Sequence, residues 1–411
     1  MTGFTRRGLM GAGLALGPVA AAAADGDPWA KVAAQFDVTR EVVQLENGNW
    51  GMMARPVLEA YGRHQEMVNR RTSYYSRRLY GPNLERVRDR VAASLGVDKA
   101  EIAFTRGATE ALQALIGGYN RLRPGDAVLY ADLDYDSMQS AMRWLKARRG
   151  VQPIAIGLPE PATHQGLIDA YAKALADNPR IRLILLTQVS HRTGLVAPVA
   201  EIVAMARARG VDAIVDSAHA WGQLDFKLPD LGADFVGLNA HKWIGAPVGV
   251  GVLYIRQGRA VDIDPYMGSA DYPEGDVRDR IHSGTANFAA FLAVADALDF
   301  HEQVGVGAKA ARLAQLRARW TDPLREAGGI EILTPPDPRL ASAIGAVRLR
   351  GRSSPAENAQ LARTLLDRFG IFTVARTGLA SGACVRVTPA IFTRDTDIDR
   401  LVAALRTLGA S

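Results

Sequence analysis

Short apolar runs alternate with amphipathic helical stretches between residues 101 and 255, and this alternation constrains the fold more than any other feature of the sequence. The runs lie at 101–105, 127–131, 152–156, 182–187, 212–216, 235–238 and 251–255. The helical stretches lie at 108–121, 136–149, 168–177 and 198–209. Most runs lack a strict apolar–polar alternation, which is typical of parallel strands buried on both faces. The order strand–helix–strand therefore predicts an α/β fold with a large, mostly parallel sheet between helical layers.

The sequence before this region predicts two helices after an irregular stretch at 27–49. The first helix begins around Pro56, and Gly81-Pro82 is expected to break it. Asn83 is then expected to cap a second helix. The apolar residues of that second helix recur at helical spacing, at Leu84, Val87, Val91 and Leu95.

A smaller unit follows from about residue 300, and it predicts an α+β C-terminal domain. Strands are predicted at 345–350, 371–375 and 384–389, and helices at 355–369 and 395–408. The full length of 411 residues also exceeds what one small core needs. We expect a signal peptide at 1–24, an N-terminal segment with the large domain at 25–300, and linking helices with the small domain at 301–411.

The N-terminus has the layout of an export signal. Arg6 and Arg7 precede an uncharged stretch at 8–24, which ends in three alanines suited to cleavage after Ala24. The stretch is short and rich in glycine and alanine, so it is a poor membrane span. Paired arginines indicate the twin-arginine (Tat) route. We therefore expect the Tat translocon as a partner during export, a periplasmic location, and no membrane in the mature form.

Composition excludes several other classes of protein. The single Cys384 excludes an intrachain disulfide framework and any multi-cysteine metal site. His301-Glu302 begins a zinc-protease motif, but Gly305 stands where the second histidine is needed, so no metal is expected. The net charge of +6 is modest, and no nucleic-acid partner is expected. The basic, aromatic segment 69–80 is either a solvated helix face or part of the mouth of a site, and we expect the solvated face.

Polar residues follow the predicted strands, at the edge where open parallel sheets bind ligands. Gly107, Ala108 and Thr109 form a turn that opens a helix, and free N–H groups there suit a phosphate. Tyr135 follows the 127–131 strand and can place its ring over a flat ligand. His191 follows the 182–187 strand.

Two further strand ends carry an acid and a lysine. Asp216 ends the strand at 212–216 and is followed by His219, while His241 and Lys242 come after the 235–238 strand together with Asn239. A buried aspartate can hold a pyridine nitrogen protonated. A desolvated lysine has a lowered pKa and can form a Schiff base. With a phosphate turn beside them, these residues are the parts needed to hold pyridoxal 5′-phosphate (PLP), which serves as an electron sink.

These motifs resemble one known family. GATE at 107–110, DSAHA at 216–220, HKW at 241–243 and SGT at 283–285 resemble the class V aminotransferase family of fold-type I PLP-dependent enzymes. The family includes isopenicillin N epimerase-like proteins and cysteine desulfurases, and the match runs from about Leu45 to Leu408. The resemblance implies a fold-type I architecture, PLP as cofactor and an amino compound as small-molecule substrate.

The resemblance also implies a role for each matching residue. Lys242 would form the Schiff base, Asp216 would pair with the pyridine nitrogen, and His219 would lie near the ring oxygen. Tyr135 would stack on the ring. The phosphate would be held by Gly107, Ala108, Thr109, Asn239 and His241.

Three positions concern the substrate and a partner subunit. Arg386 matches the arginine that grips the substrate carboxylate. His191 stands where many relatives carry asparagine, and we take it as a contact to the substrate. Thr285, in the segment 283–285, matches a segment that reaches the phosphate site of a partner subunit, so the resemblance implies a homodimer with shared active sites.

The residues leave three types of reaction open, and in each of them Lys242 is the natural base for the α-proton. We take transamination as the first expectation, with epimerisation and C–S or β-elimination as alternatives. Desulfuration needs a mobile thiol, whereas Cys384 lies inside a predicted strand. The export signal resembles that of a periplasmic PLP enzyme of this family that tailors the glutamate side chain of the siderophore pyoverdine, so a siderophore precursor is one expected substrate class.

Overall fold

A computed structural model describes residues 27–282 and 284–410 of the chain. The predicted signal peptide at 1–24 lies outside the described residues. Within them, no helix is both long and apolar enough to cross a membrane.

The described helices account for most of the predicted helical stretches, with shifts of a few residues at their ends. They are α1 (Pro28–Ala33), α2 (Arg55–Tyr75), α3 (Gly81–Leu95), α4 (Ala108–Gly118), α5 (Asp136–Arg149), α6 (His164–Asp177), α7 (Val199–Arg207), α8 (Phe288–Val304), α9 (Val306–Thr321), α10 (Pro355–Phe369) and α11 (Asp395–Gly409).

The described strands form a large sheet and two smaller ones. They are β1 (Val43–Gln44), β2 (Ile102–Thr105), β3 (Ala127–Ala131), β4 (Gln152–Ile156), β5 (Ile181–Thr187), β6 (Asp212–Ser217), β7 (Phe235–Asn239), β8 (Gly251–Ile255), β9 (Ile330–Ile332), β10 (Gly345–Leu349), β11 (Ile371–Phe372), β12 (Val374–Arg376) and β13 (Cys384–Val387). The seven-stranded sheet has the order β2-β8-β7-β6-β5-β3-β4. Of the seven strands described in this sheet, β8 alone runs opposite to the other six, which confirms the prediction of a mostly parallel sheet.

Helices cover both faces of this sheet, as the apolar strands require. In β5, Leu183 and Leu185 pack into the cluster that includes α4 and α5. Ile184 and Leu186, which point the other way, pack into the cluster that includes α6, α7 and α8. Each fully buried leucine of this kind contributes about 1.5–3 kcal/mol to folding. The strands are therefore fixed from both sides, and only their ends are free to carry polar groups.

The predicted small α+β domain is also present. Its four-stranded sheet has the order β12-β13-β10-β9, with every pairing antiparallel. The N-terminal segment reaches this unit, because β1 pairs in parallel with β11. Val43 and Leu45 lie in the same apolar cluster as Trp320 of α9 and Val385 of β13. The segment at 27–49 therefore has structure that its sequence did not predict, including α1.

The predicted break at Gly81-Pro82 and the cap at Asn83 are both wrong. A π-helical segment (Ser76–Tyr80) connects α2 directly to α3, and Gly81 is the first residue of α3. Pro82 lies in the first turn of α3, where a missing N–H costs little. Asn83 instead donates from Nδ2 to Tyr75 Oη at 2.8 Å. The local distortion lies at Thr72, whose φ is 48°.

Candidate active site

The carboxyl ends of β2, β3, β5, β6 and β7 surround one cleft, with a volume of about 1350 Å³. Nearly every residue predicted for the site lines it. These residues are Gly107, Ala108, Thr109, Tyr135, His191, Asp216, His219, Asn239, His241, Lys242 and Arg386. We call the residues at and just after these strand ends, at 107–110, 135, 216–219 and 239–242, the floor of the cleft. The fold thus brings together residues at the ends of five strands of the large sheet, together with Arg386 from β13 of the small sheet.

Lys242 forms a hydrogen bond with His219 on the floor. Lys242 Nζ lies 2.9 Å from His219 Nε2, and Trp243 Nε1 donates to His219 Nδ1 at 3.3 Å. Because Nδ1 accepts, a neutral His219 carries its proton on Nε2 and presents it to the lysine. Burial lowers the pKa of Lys242 to about 8, against the opposing effect of Asp216. Both observations favour a neutral amine, the form that can act as a nucleophile or base.

Asp216 is a buried carboxyl group that is only partly satisfied by the protein. Its Oδ1 accepts from Ala218 N at 2.9 Å, while Oδ2 accepts no hydrogen bond from any residue that the structure describes. Burial raises the pKa of Asp216. Since an unpaired buried carboxylate is costly, Asp216 is suited to a cationic partner brought in from outside.

The N-terminus of α4 is the end of the cleft that is suited to an anion. The N–H groups of Thr109 and Glu110 lie in the first turn, which has no intrahelical acceptors. Asn239 Oδ1 accepts from Ala108 N at 2.7 Å, so Asn239 also fixes where the helix begins. His241 holds Val250 O through Nδ1 at 2.8 Å, which directs Nε2 away from that carbonyl. Burial lowers the pKa of His241 to about 4.

Tyr135 and His191 lie against each other. Their rings meet edge to face, with centroids 5.1 Å apart and an interplanar angle of 87°. Tyr135 is 39% exposed, whereas His191 is buried and its Nδ1 has no hydrogen-bond partner among the described residues. Burial, followed by the charge of Arg192, lowers the pKa of His191 well below its usual value. This environment favours the neutral imidazole of His191.

The sequence did not reveal Glu46 and Arg376, which lie beside Arg386. Arg386 donates to the Glu46 carboxylate through Nη2 and through Nε, the latter at 3.3 Å. Its Nη1 donates to His191 O at 2.6 Å. Arg376 also lines the cleft, with Nη2 at 3.9 Å from Glu46 Oε1. Glu46 and Arg386 are 340 residues apart in sequence, so no local pattern could have paired them.

Together, residues 46–51, Arg376 and Arg386 form what we call the wall of the cleft. The wall rests directly on the floor, because Gly51 N donates to His241 O at 2.7 Å. A Cβ on Gly51 would lie 1.7 Å from the carbonyl oxygen of Lys242, so only glycine fits there. Gly48 lies against the face of the Arg386 guanidinium. A Cβ added to Gly48 would lie 2.9 Å from Arg386 Cζ, so a larger residue would collide with the arginine.

The structure places the remaining candidates away from the cleft. Thr285 is exposed and does not line the cleft of its own chain, and Ser283 lies outside the described residues. Most of segment 69–80 is exposed and none of it lines the cleft, consistent with the solvated face expected. Cys384 is buried in β13, where burial raises the pKa of its thiol to about 12.

His301 packs against a second buried lysine. Lys309 Nζ lies 3.4 Å from His301 Nδ1 and donates to the carbonyl oxygen of Trp243, next to the floor lysine. Burial lowers the pKa of Lys309 to about 7. Among the described residues, no three or more His, Cys, Asp or Glu side chains are arranged to hold a metal ion.

Comparison with known proteins gives a consistent result. The sequence profile of the family described as "Aminotransferase class-V" matches residues 54–401. The isopenicillin N epimerase of Streptomyces clavuligerus is 31% identical over 396 residues, which cover 92% of this chain and 98% of that protein.

Solved structures share the fold. The cysteine desulfurase CsdA from Escherichia coli superposes with a TM-score of 0.77 at 22% identity, covering 93% of this chain and 98% of the other. The cystine C–S lyase C-DES, in complex with its product cysteine persulfide, also gives a TM-score of 0.77, at 23% identity over 89% of this chain and 98% of the other. The fold-type I architecture predicted from the sequence is confirmed.

Proposed function

Because this chain belongs to the class V aminotransferase family, we propose that it is a PLP-dependent enzyme in which Lys242 carries the cofactor and moves the substrate's α-proton. The observation that carries this proposal is the Lys242–His219 pair at 2.9 Å, on the same cleft floor as the partly satisfied Asp216 carboxyl group. The substrate is an amino acid or an aminoacyl compound.

The residues of the floor fit PLP at each of its polar ends. Asp216 Oδ2 is a free acceptor for the pyridine nitrogen. Thr109 and Glu110 offer N–H groups to the phosphate, and His241 and Asn239 lie beside them. Tyr135 lines the cleft and would supply an aromatic ring to stack on the cofactor. When bound, PLP supplies an electrophilic carbon for the amino group and a ring that withdraws electrons from the α-carbon.

Lys242 and His219 control the transfer of the substrate's α-proton. His219, neutral and donating through Nε2, keeps Lys242 Nζ oriented and favours its neutral form. A neutral Nζ can accept a proton from the substrate's α-carbon. His191 and His241 have lowered pKa values because they are buried, so both are poor proton carriers at neutral pH. Lys242 is therefore the main proton carrier of the cleft.

We favour transamination as the outcome. A single carrier that takes the α-proton and returns it to a different atom on the same side is what transamination requires. The test is to titrate the purified, PLP-loaded protein with a panel of amino acids in the absence of any oxo-acid. Stoichiometric oxo-acid and pyridoxamine 5′-phosphate support transamination, and a protein that takes up no PLP contradicts the whole proposal.

Epimerisation is the second candidate, and it is favoured by the 31% identity to an isopenicillin N epimerase across 98% of that protein. The same titration separates the two in deuterated water. An epimerase incorporates deuterium at the α-carbon and inverts its configuration without releasing oxo-acid. A lyase releases oxo-acid together with ammonia. Desulfuration through a protein thiol is disfavoured because Cys384 is buried and its pKa is raised.

We also propose a homodimer in which the 283–285 segment of each protomer completes the phosphate site of its partner. The exposed position of Thr285, outside the cleft of its own chain, supports this arrangement. Light scattering should give twice the chain mass, and Thr285→Ala should weaken PLP binding. A monomer that binds PLP tightly contradicts the proposal.

Export to the periplasm through the Tat translocon stays a proposal that rests on Arg6 and Arg7. Replacing both with lysine should keep the protein in the cytoplasm, as measured by cell fractionation. An unchanged periplasmic fraction contradicts it. The prediction that the substrate is an aminoacyl group on a siderophore precursor is untested.

A further inference from the structure

Trp243 contacts the histidine of the Lys242–His219 pair from the side opposite the lysine. It follows Lys242 directly in the chain and is buried. Its indole Nε1 donates to His219 Nδ1 at 3.3 Å, while His219 Nε2 lies 2.9 Å from Lys242 Nζ. The three side chains therefore form one hydrogen-bonded row, with the imidazole between the indole and the amine.

The indole determines which nitrogen of His219 carries the proton. Burial lowers the pKa of His219 well below its usual value, which favours a neutral imidazole with one donor and one acceptor nitrogen. An indole N–H can only donate a hydrogen bond. His219 Nδ1 must therefore be the acceptor, and the single proton lies on Nε2, where it faces Lys242.

The backbone of Trp243 is held on two sides. The buried Lys309 of α9 donates from Nζ to the carbonyl oxygen of Trp243. On another side, a Cβ added to Gly222 would lie 2.7 Å from the carbonyl carbon of Trp243, so the two backbones are in close contact. Because its backbone is anchored, the indole has little freedom to move away from His219.

The position of the His219 proton acts on the protonation state of Lys242. The lone pair of a neutral amine can accept a hydrogen bond from His219 Nε2–H, whereas an ammonium group has only donors and would meet another donor at 2.9 Å. A proton on Nδ1 would reverse this, because Nε2 would then accept from the ammonium group and stabilise it. The tautomer that Trp243 selects therefore favours the neutral amine.

We propose that Trp243 is a positioning residue that holds His219 in its Nε2–H tautomer and thereby favours the neutral form of Lys242, which can act as a nucleophile and a base. This inference rests on the proposed function, because the protonation of Lys242 matters only if this lysine reacts. Its tests use the full-length protein without PLP, so that the two can fail separately.

The first test measures the pH at which Lys242 becomes reactive, by competitive labelling with acetic anhydride and mass spectrometry. Trp243→Phe keeps an apolar ring and leaves His219 Nδ1 free to carry the proton. We expect the midpoint of Lys242 labelling to rise by about one pH unit. Trp221→Phe is the matched control, because Trp221 is also buried and its Nε1 donates at 3.3 Å, but to Ser94 Oγ. It should keep the wild-type midpoint.

A second background separates the effect of the tautomer from a loss of packing. His219→Phe has no imidazole proton, so adding Trp243→Phe to it should no longer move the midpoint, whereas a loss of packing would move it in both backgrounds. The other titratable or charged groups that act on Lys242 or His219 are unchanged in all these variants. They are Glu46, His191, Asp216, His241, Arg376 and Arg386. Thermal unfolding checks that each variant folds.

The second test locates the proton in the wild type and needs no tryptophan variant. Nitrogen NMR of the histidine-labelled protein distinguishes protonated from unprotonated ring nitrogens, and the His219 signals are those missing from His219→Phe. The inference predicts that Nε2 is protonated and Nδ1 is not.

Two results would overturn the inference: a protonated His219 Nδ1 in the wild type, or the same labelling midpoint in Trp243→Phe and Trp221→Phe. Neither result involves PLP, so neither affects the proposed function. Failure of the wild type to take up PLP, measured separately by visible absorbance, would instead remove the proposed function itself.

Discussion

The floor and the wall of the cleft are built in different ways. The floor consists of residues at the ends of strands in one sheet, such as Asp216 and Lys242. The wall combines an N-terminal segment with the small C-terminal sheet, where Glu46 meets Arg386 across 340 residues. We infer that the floor carries the cofactor chemistry common to the family, whereas the wall selects the substrate.

If the floor carries the chemistry, Lys242→Ala should have the largest effect of any single change. It removes the residue that we propose binds PLP covalently and carries the proton, so turnover should fall by roughly 10⁴-fold or more. The measurement is single-turnover kinetics with the amino acid that reacts best. Lys173→Ala is the control, because Lys173 is an exposed residue of α6 that pairs with Asp177. Turnover of Lys242→Ala within tenfold of the wild type would contradict the assignment.

Asp216→Asn should have the second-largest effect on turnover. The amide keeps the shape of the carboxylate but loses the charge that holds a pyridine nitrogen protonated. A hydrogen bond to a charged group contributes about 1.5–3 kcal/mol, so kcat should fall roughly 10²-fold. Asp169→Asn, on the exposed surface of α6, should leave kcat unchanged. An equal effect of both changes would show that Asp216 does not contact the cofactor.

Gly51→Ala tests the contact between wall and floor. The added Cβ would meet the backbone carbonyl of Lys242, which cannot move aside cheaply, and we expect a loss of about 3 kcal/mol in the free energy of unfolding. Gly62→Ala is the matched control, because Gly62 lies within α2 and has open space around it. That change should stabilise the helix by about 0.5–1 kcal/mol. Chemical denaturation measures both, and equal stability of the two variants would contradict the close contact.

The smallest expected effect is electrostatic. Burial lowers the pKa of Lys242 to about 8, with the charge of Asp216 opposing this shift and the charges of Arg386 and Arg376 adding to it. The neutral amine therefore increases as the pH rises through about 8, and trapping with pyridoxal and borohydride should have its midpoint there. Arg376→Gln removes one repelling cation, so its midpoint should move to higher pH. A midpoint near 10.5, the ordinary value for lysine, would show that the burial does not matter.

Most of the sheet could be predicted from the sequence because its strands are buried on both faces and read as apolar runs. Asp216, Lys242 and the turn at Gly107 could be predicted for a related reason, since each directly follows such a run. The short strands β1 and β9 were missed, because two or three residues carry too little pattern. The join between α2 and α3 was misinterpreted because Pro82 can also lie inside the first turn of a helix.

The wall could be predicted only in part. Arg386 was found through its family motif, but its pairing with Glu46 is a long-range contact that leaves no local signal. Arg376 ends a three-residue strand, and nothing in its flanking sequence separates it from the many exposed arginines. What distinguishes Arg376 from those residues is its partial burial beside a second arginine, which only the folded chain reveals.

The most direct test of the central claim is to reduce the PLP-loaded protein with borohydride, digest it, and locate the pyridoxyl group by mass spectrometry. The account predicts one labelled peptide per chain, with the label on Lys242 and none in Lys242→Ala. A label on Lys309, the other buried lysine next to the floor, or the absence of any label, would contradict it.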